Sequence, residues 1–505
     1  VPAAQGPTVR VTAFHIITTL FPEADLQTVV APFRNRDLTL GGLQSAAGAI
    51  STYYRQHGYL ARAYLPRQEI RDGVVTIAVQ ESRLGRVVVD SASDTRLDGD
   101  LAAGYLLNRQ AVGETLRLNA LEQGVAALDA VPGITATATA EAGGAPDQTD
   151  IRLKLTEGPL FNGIALVDNQ AQRASGGWRG IAVLSANDVD GIGDQTILTG
   201  MRSLGTTYGR LAATAPVGYS GLRLGLNGSA FDYRVAHDFN AGTPDGWGAT
   251  GGAMATLPVW RSEDTALDGR LSYEHRRLVN RTAQIVTSVS VIDAATLGAG
   301  GVVRDGWGGA NQVDVALTGG TVDLGGVPDN LALDAASVRT SGAYAKLAMT
   351  ASHAQPLGEG VEVMLRLSGQ WASGNLDSSE RLALGGPDGV RAYPVNEGQG
   401  AEGAVGTLEL RWRPVTGLRF AAFWDGGWIR QFVTPWARWN RGTDLPNDYG
   451  VQGLGIAVSW RPGDALAVDA TLAQVVGDNP GRINGLDSDG LRRRTRAWVR
   501  VTGNF

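Results

Sequence analysis

Two hydrophobic patterns divide the chain near residue 157. Before it, short alternating runs are interleaved with helical ones. Residues 9–16 alternate as a strand. Phe21-Pro22-Glu23-Ala24 opens a helix to about residue 33, with proline in the first turn. Residues 39–56 place Leu43, Ala46, Ala47, Ile50 and Tyr54 near one helical face, and Gly58 suits the position just past its end. Strands over 63–65 and 74–79 follow, the second after the turn Arg71-Asp72-Gly73. The same β-α-α-β-β order then returns. It comprises a strand over 86–90, helices over 98–107 and 118–128, a turn at Val131-Pro132-Gly133, and strands over 134–140 and 151–155. A unit repeated in tandem predicts an array; two unrelated small α+β domains are the alternative.

From residue 158 onward the helical pattern disappears and period two takes over. Leu408, Leu410 and Trp412 oppose Glu409, Arg411 and Arg413; Leu222, Leu224 and Leu226 oppose Arg223, Gly225 and Asn227. Val361, Val363, Leu365 and Leu367 share a face, and Ala497, Val499 and Val501 oppose Trp498, Arg500 and Thr502. A soluble sandwich would bury the apolar face against a second sheet. A transmembrane barrel would turn it to lipid around a polar lumen. The strands are long enough to cross a membrane at a tilt, the inward arginines suit a wet lumen, and Trp260, Trp412, Trp428 and Trp460 stand near strand ends as in an interfacial belt. At roughly 20 residues per strand and connection, the segment predicts about 16 to 18 strands. The pattern therefore favours α+β repeats followed by an all-β transmembrane barrel of about 16 to 18 antiparallel strands, with the soluble sandwich as the alternative.

Composition removes most other classes. The chain has no cysteine, which excludes disulfides, thiol catalysis and cysteine-bound metal. Its two lysines, Lys154 and Lys346, lie in no phosphate-loop context. His15, His57, His237, His275 and His353 are scattered without metal-ligand spacing, and no nucleophile elbow is present. No cofactor, metal site or catalytic residue is expected. No apolar run reaches the length of a transmembrane helix, and a net charge of −6 does not point to nucleic acid. The start Val1-Pro2-Ala3-Ala4 lacks the pattern of a secretory signal, as if one had already been removed.

Residues 385–403 are rich in glycine with two prolines, and carry Arg391 beside Tyr393. The composition excludes a strand or helix there. An ordinary long loop would read the same way, but long structureless loops are usually functional. An arginine at the loop's apex could dock on a carboxylate. Asp425 interrupts an apolar segment in Phe423-Trp424-Asp425-Gly426-Gly427, and Gly427 leaves room for an approaching chain. Such a pair would be bidentate and costly to break from one side. Segments 168–180 and 191–194 read as hairpin turns. The run Arg492-Arg493-Arg494-Thr495-Arg496 reads as a solvated strand end or loop, with contact to anionic lipid head groups as the sharper alternative.

Taken together, these motifs resemble the outer-membrane transporters of two-partner secretion. This is the TpsB family of haemolysin and haemagglutinin secretion proteins, in the superfamily of the barrel-assembly insertase. Tyr53-Tyr54-Arg55-Gln56-His57-Gly58-Tyr59 with Ala63-Tyr64-Leu65-Pro66 is similar to its first POTRA domain. Leu382-Ala383-Leu384-Gly385-Gly386 followed by Val390-Arg391-Ala392-Tyr393-Pro394 is similar to its loop-6 motif. Phe423, Asp425 and Gly427 match its Phe-x-Asp-x-Gly strand, Asp168-Asn169 the start of its first barrel strand, and Phe505 its C-terminal insertion signal.

The resemblance implies a short segment 1–7, periplasmic POTRA domains over 8–82 and 83–157, and a 16-stranded barrel over 158–505. Loop 6, at about 380–405, would enter the lumen with Arg391 paired to Asp425. It implies export of one large, β-rich partner protein (type Vb secretion), an outer-membrane location among its lipids, and insertion by the barrel-assembly machinery. An insertase is the alternative, with a diffusion porin and a soluble adhesin sandwich behind it. Two departures stand out. The few residues before Val9 are too short for a helix that plugs the pore, and Ala392 stands where the family often has glycine.

Overall fold

The structure, a computed structural model, describes residues 7–90, 95–236, 242–262 and 264–505. His237 and most of the segment 1–7 lie outside the described residues. The chain divides into two compact units, the first holding the residues up to Gly158 and the second most of the remainder.

The first unit contains two modules of one topology. In the first, β1 (Thr8–Val11) pairs with β3 (Arg36–Thr39), while β2 (Ala13–Ile17), β4 (Ala61–Tyr64) and β5 (Val74–Glu81) form a sheet in the order β2-β5-β4. Helices α1 (Glu23–Val30) and α2 (Leu40–Gln56) cover it. The Thr39 hydroxyl caps α2 by accepting from the Gly42 N–H at 3.3 Å, and Gly58 beyond its end has φ +82°. Leu43, Ala46, Ala47, Ile50 and Tyr54 of α2 are buried with Phe14, Ile16, Val75 and Ile77. The strand expected over 9–16 breaks at Thr12 into β1 and β2, which pair with different partners, while β3 has no counterpart in the hydrophobic pattern, because none of its four residues is buried.

The Tyr54 phenol meets the Thr18 hydroxyl at 2.6 Å and donates to Glu81 at 2.9 Å. Burial pushes Tyr54 up to about 12, with Glu81 adding to the rise. Burial also raises Glu81, but hydrogen bonds from Thr19, Tyr54 and the Leu20 N–H outweigh it and hold the carboxyl below its usual value.

In the second module, β6 (Arg83–Val89), β7 (Ile134–Ala142) and β8 (Gln148–Glu157) are ordered β6-β8-β7 beneath α3 (Gly99–Leu107) and α4 (Leu118–Asp129). Asp98 caps α3 through the Leu101 N–H at 2.9 Å. In both modules the first and third strands run parallel and the second is an edge.

The second unit is a closed barrel of sixteen strands. The first eleven are β9 (Phe161–Asp168), β10 (Arg179–Asn187), β11 (Gln195–Ser203), β12 (Thr206–Pro216), β13 (Arg223–Arg234), β14 (Asp245–Arg261), β15 (Thr265–Thr282), β16 (Ile285–Arg304), β17 (Ala310–Asp323), β18 (Gly342–Gly358) and β19 (Val361–Ala372). After a long loop come β22 (Glu402–Val415), β23 (Leu418–Arg430), β24 (Asp448–Trp460), β25 (Leu466–Val476) and β26 (Thr495–Asn504). The loop itself carries a two-residue ladder of β20 (Leu382–Ala383) and β21 (Gln399–Gly400). Every barrel pair is antiparallel, and β26 closes on β9. Side chains alternate as the period-two pattern requires. On β22, Val405 and Glu409 are buried while Leu408, Leu410 and Trp412 face outward. Trp260, Trp412, Trp428 and Trp460 are all exposed near strand ends.

Four expectations are corrected. A helix does occur after residue 158: α5 (Pro328–Ala336), between β17 and β18, starts with Pro328 in its first turn. It is only nine residues long, too short for its periodicity to stand out. Loop 6 spans 373–401 and not 380–405, so residues 402–405 belong to a barrel strand. Glycine there permits close strand approach and not a turn: a Cβ on Gly400 would lie 2.3 Å from the Arg430 carbonyl oxygen. Asp168-Asn169 stands at the end of the first barrel strand, not at its start. Arg496 leaves the exposed basic run and turns inward to Asp489 at 2.8 Å.

The seam between β9 and β26 is short, running from Arg500↔Asp168 to Asn504↔Ile164. Phe505 extends it by exchanging backbone hydrogen bonds with Gly163 at 2.8 and 3.0 Å. A Cβ on Gly163 would lie 2.5 Å from the Phe505 ring, so glycine is required there. At the other end the Asn169 amide accepts from the Val499 N–H and donates to the Ala497 carbonyl, both at 2.9 Å. Asp168, fully buried, accepts from Arg179 at 2.9 Å and lies 3.4 Å from Arg500.

Candidate functional site: the loop held inside the barrel

Loop 6 reaches the barrel wall through a tight glycine turn. Gly386 has φ +125°, the Gly389 N–H donates to Gly386, and the Val390 N–H donates to the Leu384 carbonyl at 2.7 Å. A Cβ on Gly385 would lie 2.5 Å from the Pro394 carbonyl oxygen, and one on Gly389 2.1 Å from that of Leu384. These glycines let the turn close and aim Arg391 at the wall.

The register of β22 and β23 prepares the receiving surface. Thr407 lies opposite Asp425 and Glu409 opposite Phe423, all on the inward face. The Arg391 guanidinium donates to both Asp425 oxygens, from Nε to Oδ2 at 2.9 Å and from Nη2 to Oδ1 at 2.8 Å. Its Nη1 donates to Glu409 at 2.7 Å, and its backbone N–H reaches Asp425 at 3.1 Å. The Thr407 hydroxyl donates to Asp425 at 2.9 Å, and the guanidinium lies 3.3 Å from the centre of the Phe423 ring. The Trp498 indole on β26 donates to the Arg391 carbonyl at 2.8 Å. Asp425 is fully buried and the Arg391 side chain is 12% exposed. Glu409 carries the ladder on to Arg411 at 2.7 Å, and Arg411 to Glu362 at 3.1 Å.

An apolar cluster backs these charges. Leu384, Val390, Ala392 and Tyr393 of loop 6 are buried with Val405, Phe423, Ile429, Tyr449, Val451, Ala473 and Val475 of the wall. Tyr393 is fully buried. A Cβ on Gly427 would come within 3.0 Å of Leu384 and 3.1 Å of Val390, so its absence makes room for the loop. The Ala392 methyl fits because Gly453 faces it, where a Cβ would stand 2.6 Å away. Water is excluded from much of this contact, which strengthens the ionic lock and raises the penalty for leaving one partner alone.

Two further anchors hold the loop. Near its start, Glu380 is 3% exposed and lies 2.5 Å from Arg276 on β15 and 2.8 Å from Lys346 on β18. Past its apex, Glu397 is 2% exposed, accepting from Asn479 at 2.5 Å and the Ser488 N–H at 2.6 Å. Both partners belong to the loop between β25 and β26. Asp487 in that loop pairs with Arg482 at 2.8 Å.

The structure thus brings together Arg391, Tyr393, Asp425, Gly385, Gly386, Val390, Phe423 and Gly427. Phe505 lies at the seam. Sequence reasoning missed Glu409, Trp498, Gly453, Glu380 and Glu397. Glu409 and Trp498 had a readable signal, since both fall on polar faces of alternating strands; the other three had none.

Tandem α+β modules ahead of a closed sixteen-stranded barrel with an inward-folded loop define an outer-membrane protein of the POTRA-barrel class. Residues 10–82 match the POTRA domain of ShlB type, and residues 147–435, more than half of the chain, match the haemolysin secretion/activation protein family ShlB/FhaC/HecB. The chain belongs to that family of outer-membrane transporters, with its barrel in the outer membrane and POTRA structure in the periplasm. It is 23% identical over 479 residues to the heme/hemopexin transporter protein HuxB of Haemophilus influenzae, covering 92% of this chain and 82% of the relative. It is 26% identical over 449 residues to the outer membrane transporter CdiB of Dickeya dadantii, covering 84% and 77%. Its fold is similar to that of CdiB from Escherichia coli, with a TM-score of 0.75, 20% identity and coverage of 100% of this chain and 92% of that one. It is also similar to BamA from Haemophilus ducreyi lacking POTRA domains 1–3, with a TM-score of 0.57, 16% identity and coverage of 99% and 100%.

Proposed function

We propose that this transporter captures one large, β-rich partner exoprotein, unfolded, in the periplasm and passes it through a pore gated by loop 6. In this reading, residues 8–82 and 83–157 are the POTRA domains and 158–505 the barrel. The carrying observation is Arg391 held by Asp425 and Glu409 within a dry cluster, which ties one long loop to the inner face of the barrel wall.

Capture needs only a free strand edge. In β7, most residues past Ala136 are exposed, Thr and Ala alternate, and no proline or lysine blunts the edge. An extended client segment would add to it by main-chain hydrogen bonds. The contact of Phe505 with Gly163 supports its reading as a closing signal for the barrel-assembly machinery. With no nucleotide motif in the chain, folding of the client outside the cell would bias its diffusion outward.

The test is secretion together with planar-bilayer conductance, for the wild type and a deletion of residues 385–401. Small, fluctuating conductance that becomes large and steady on deletion, with secretion of one co-expressed partner, supports the reading. A large, steady pore in both points to a diffusion porin. Loss of other barrels from the membrane on depletion points to an insertase, the second reading, which the likeness to BamA favours.

A further inference from the structure

The loop from β23 to β24 contains a short internal repeat, Trp436-Ala437-Arg438 and Trp439-Asn440-Arg441. Both arginines sit in the left-handed region, with φ +59° and +54°. That conformation disfavours an L side chain, because it brings Cβ too close to the backbone. It is held by successive turns: the Trp439 N–H donates to Trp436, the Arg441 N–H to Arg438 and the Thr443 N–H to Asn440. Phe432 braces both tryptophans edge-on, with ring centres 4.8 and 5.6 Å apart, and Arg381 lies over Phe432. The loop is therefore a built platform that turns two guanidinium groups to solvent.

Among the described residues, neither guanidinium makes a hydrogen bond or ion pair, and the same holds for Arg492, Arg493 and Arg494 in the loop from β25 to β26. All five arginines are exposed. The two loops stand side by side, since β24 pairs with β25, and a cavity of about 510 Å³ is lined by both. Most acids near them are already engaged: Asp487 and Asp489 by Arg482 and Arg496, and Asp448 by Arg430. Asp444 and Asp478 remain, so a positive surplus stands on this rim of a chain whose net charge is −6.

These loops lie on the rim opposite the strand ends that lead from the POTRA region, and so face the outer leaflet. Arginine forks match phosphate oxygens, and half-buried tryptophan suits the boundary between sugar and lipid. We propose that this surface docks the phosphorylated glycolipid head groups of the outer leaflet, with Arg438 and Arg441 as one phosphate clamp and Arg492 to Arg494 as a second. The docking would fix the barrel's outer rim beside the lock without touching it.

The experiment uses the full chain in detergent and measures binding of bis-phosphoryl lipid A by native mass spectrometry. The fully dephosphorylated lipid is the matched control. Each arginine near an anionic surface is worth roughly a fivefold change in affinity. R438Q/R441Q should therefore weaken binding about 30-fold and R492Q/R493Q/R494Q about 100-fold or more, with single variants near fivefold. Heat-modifiable migration on gels checks that each barrel is folded. Equal binding of the two lipids, equal binding by wild type and variants, or complete displacement by millimolar inorganic phosphate would each overturn the proposal.

Discussion

The lock at Arg391 makes the sharpest quantitative claim. Replacing Arg391 with Gln removes three charge-assisted bonds, two to Asp425 and one to Glu409. Glu409 keeps Arg411 as a partner, but fully buried Asp425 loses its counter-charge and keeps two neutral donors, the Thr407 hydroxyl and the backbone N–H of residue 391. Stranding one member of a buried pair destabilises by about 3–5 kcal/mol. At 1.4 kcal/mol per factor of ten, the closed-to-open ratio should fall by roughly two to three and a half powers of ten. Asp425→Asn should fall at the lower end, because Glu409 still balances the guanidinium. The double variant Arg391→Leu with Asp425→Leu should open less than Arg391→Leu alone, since no charge is left stranded at Asp425. Open probability of single channels reports all of these, and secreted partner in the medium reports the functional cost. Heat-modifiable barrels with wild-type open probability in both single variants would refute the argument.

Other expectations follow from close packing and from titration. Gly453→Val places side-chain atoms where a Cβ alone stands 2.6 Å from the Ala392 methyl, so it should displace loop 6 and raise conductance, while Gly453→Ala does so more weakly. Reducing Ala392 to Gly in the Gly453→Ala background should restore the closed state, and failure to do so would remove this contact from the lock. In the first POTRA module, Glu81 is held below its usual value, so its contribution is full above the ordinary carboxylate range and is lost as pH falls through the folded value. Tyr54 is raised to about 12, so the neutral phenol's contribution is full below about 10 and is lost as pH rises towards 12. Hydrogen exchange of α2 and β5 in the intact protein should therefore be protected evenly between about pH 5 and 9, and Glu81→Gln should abolish the acid limb only.

Much of this architecture was legible because period two is a property of each strand alone. Leu408, Leu410 and Trp412 declare an outward face wherever the strand lies. The repeated β-α-α-β-β order was legible for the same local reason. What stayed hidden depends on which strands meet. Glu409 reads only as a polar-face residue until the β22–β23 register sets it opposite Phe423. Gly453 reads as one glycine among many until Ala392 arrives from a distant loop. Glu380 and Glu397 lie in segments with no period at all, and their partners are as far off in sequence as Arg276 and Ser488. Gly400 and Gly403 were read as loop signals because glycine marks both turns and close strand approach. Only the neighbouring strand tells these apart.

The three anchors of loop 6 also constrain how it can move. Glu380 and Arg391 are ion-paired to the barrel wall, whereas Glu397 is held by hydrogen bonds from neutral donors, Asn479 and the Ser488 N–H, each worth about 1.5–3 kcal/mol. The anchors therefore differ in kind, and the hydrogen-bonded one should release before the two ion-paired ones. Glu397 is the natural first step, because its partners Asn479 and Ser488 sit on a loop and not on the barrel wall. Glu397→Gln keeps the shape but removes the charge that holds the Ser488 N–H. Hydrogen exchange should then rise together over 394–401 and 479–491, while 376–383, tied to Arg276 and Lys346 through Glu380, stays protected. Uniform exchange across 373–401 in this variant would show that the loop moves as one body, and the stepwise account would fall.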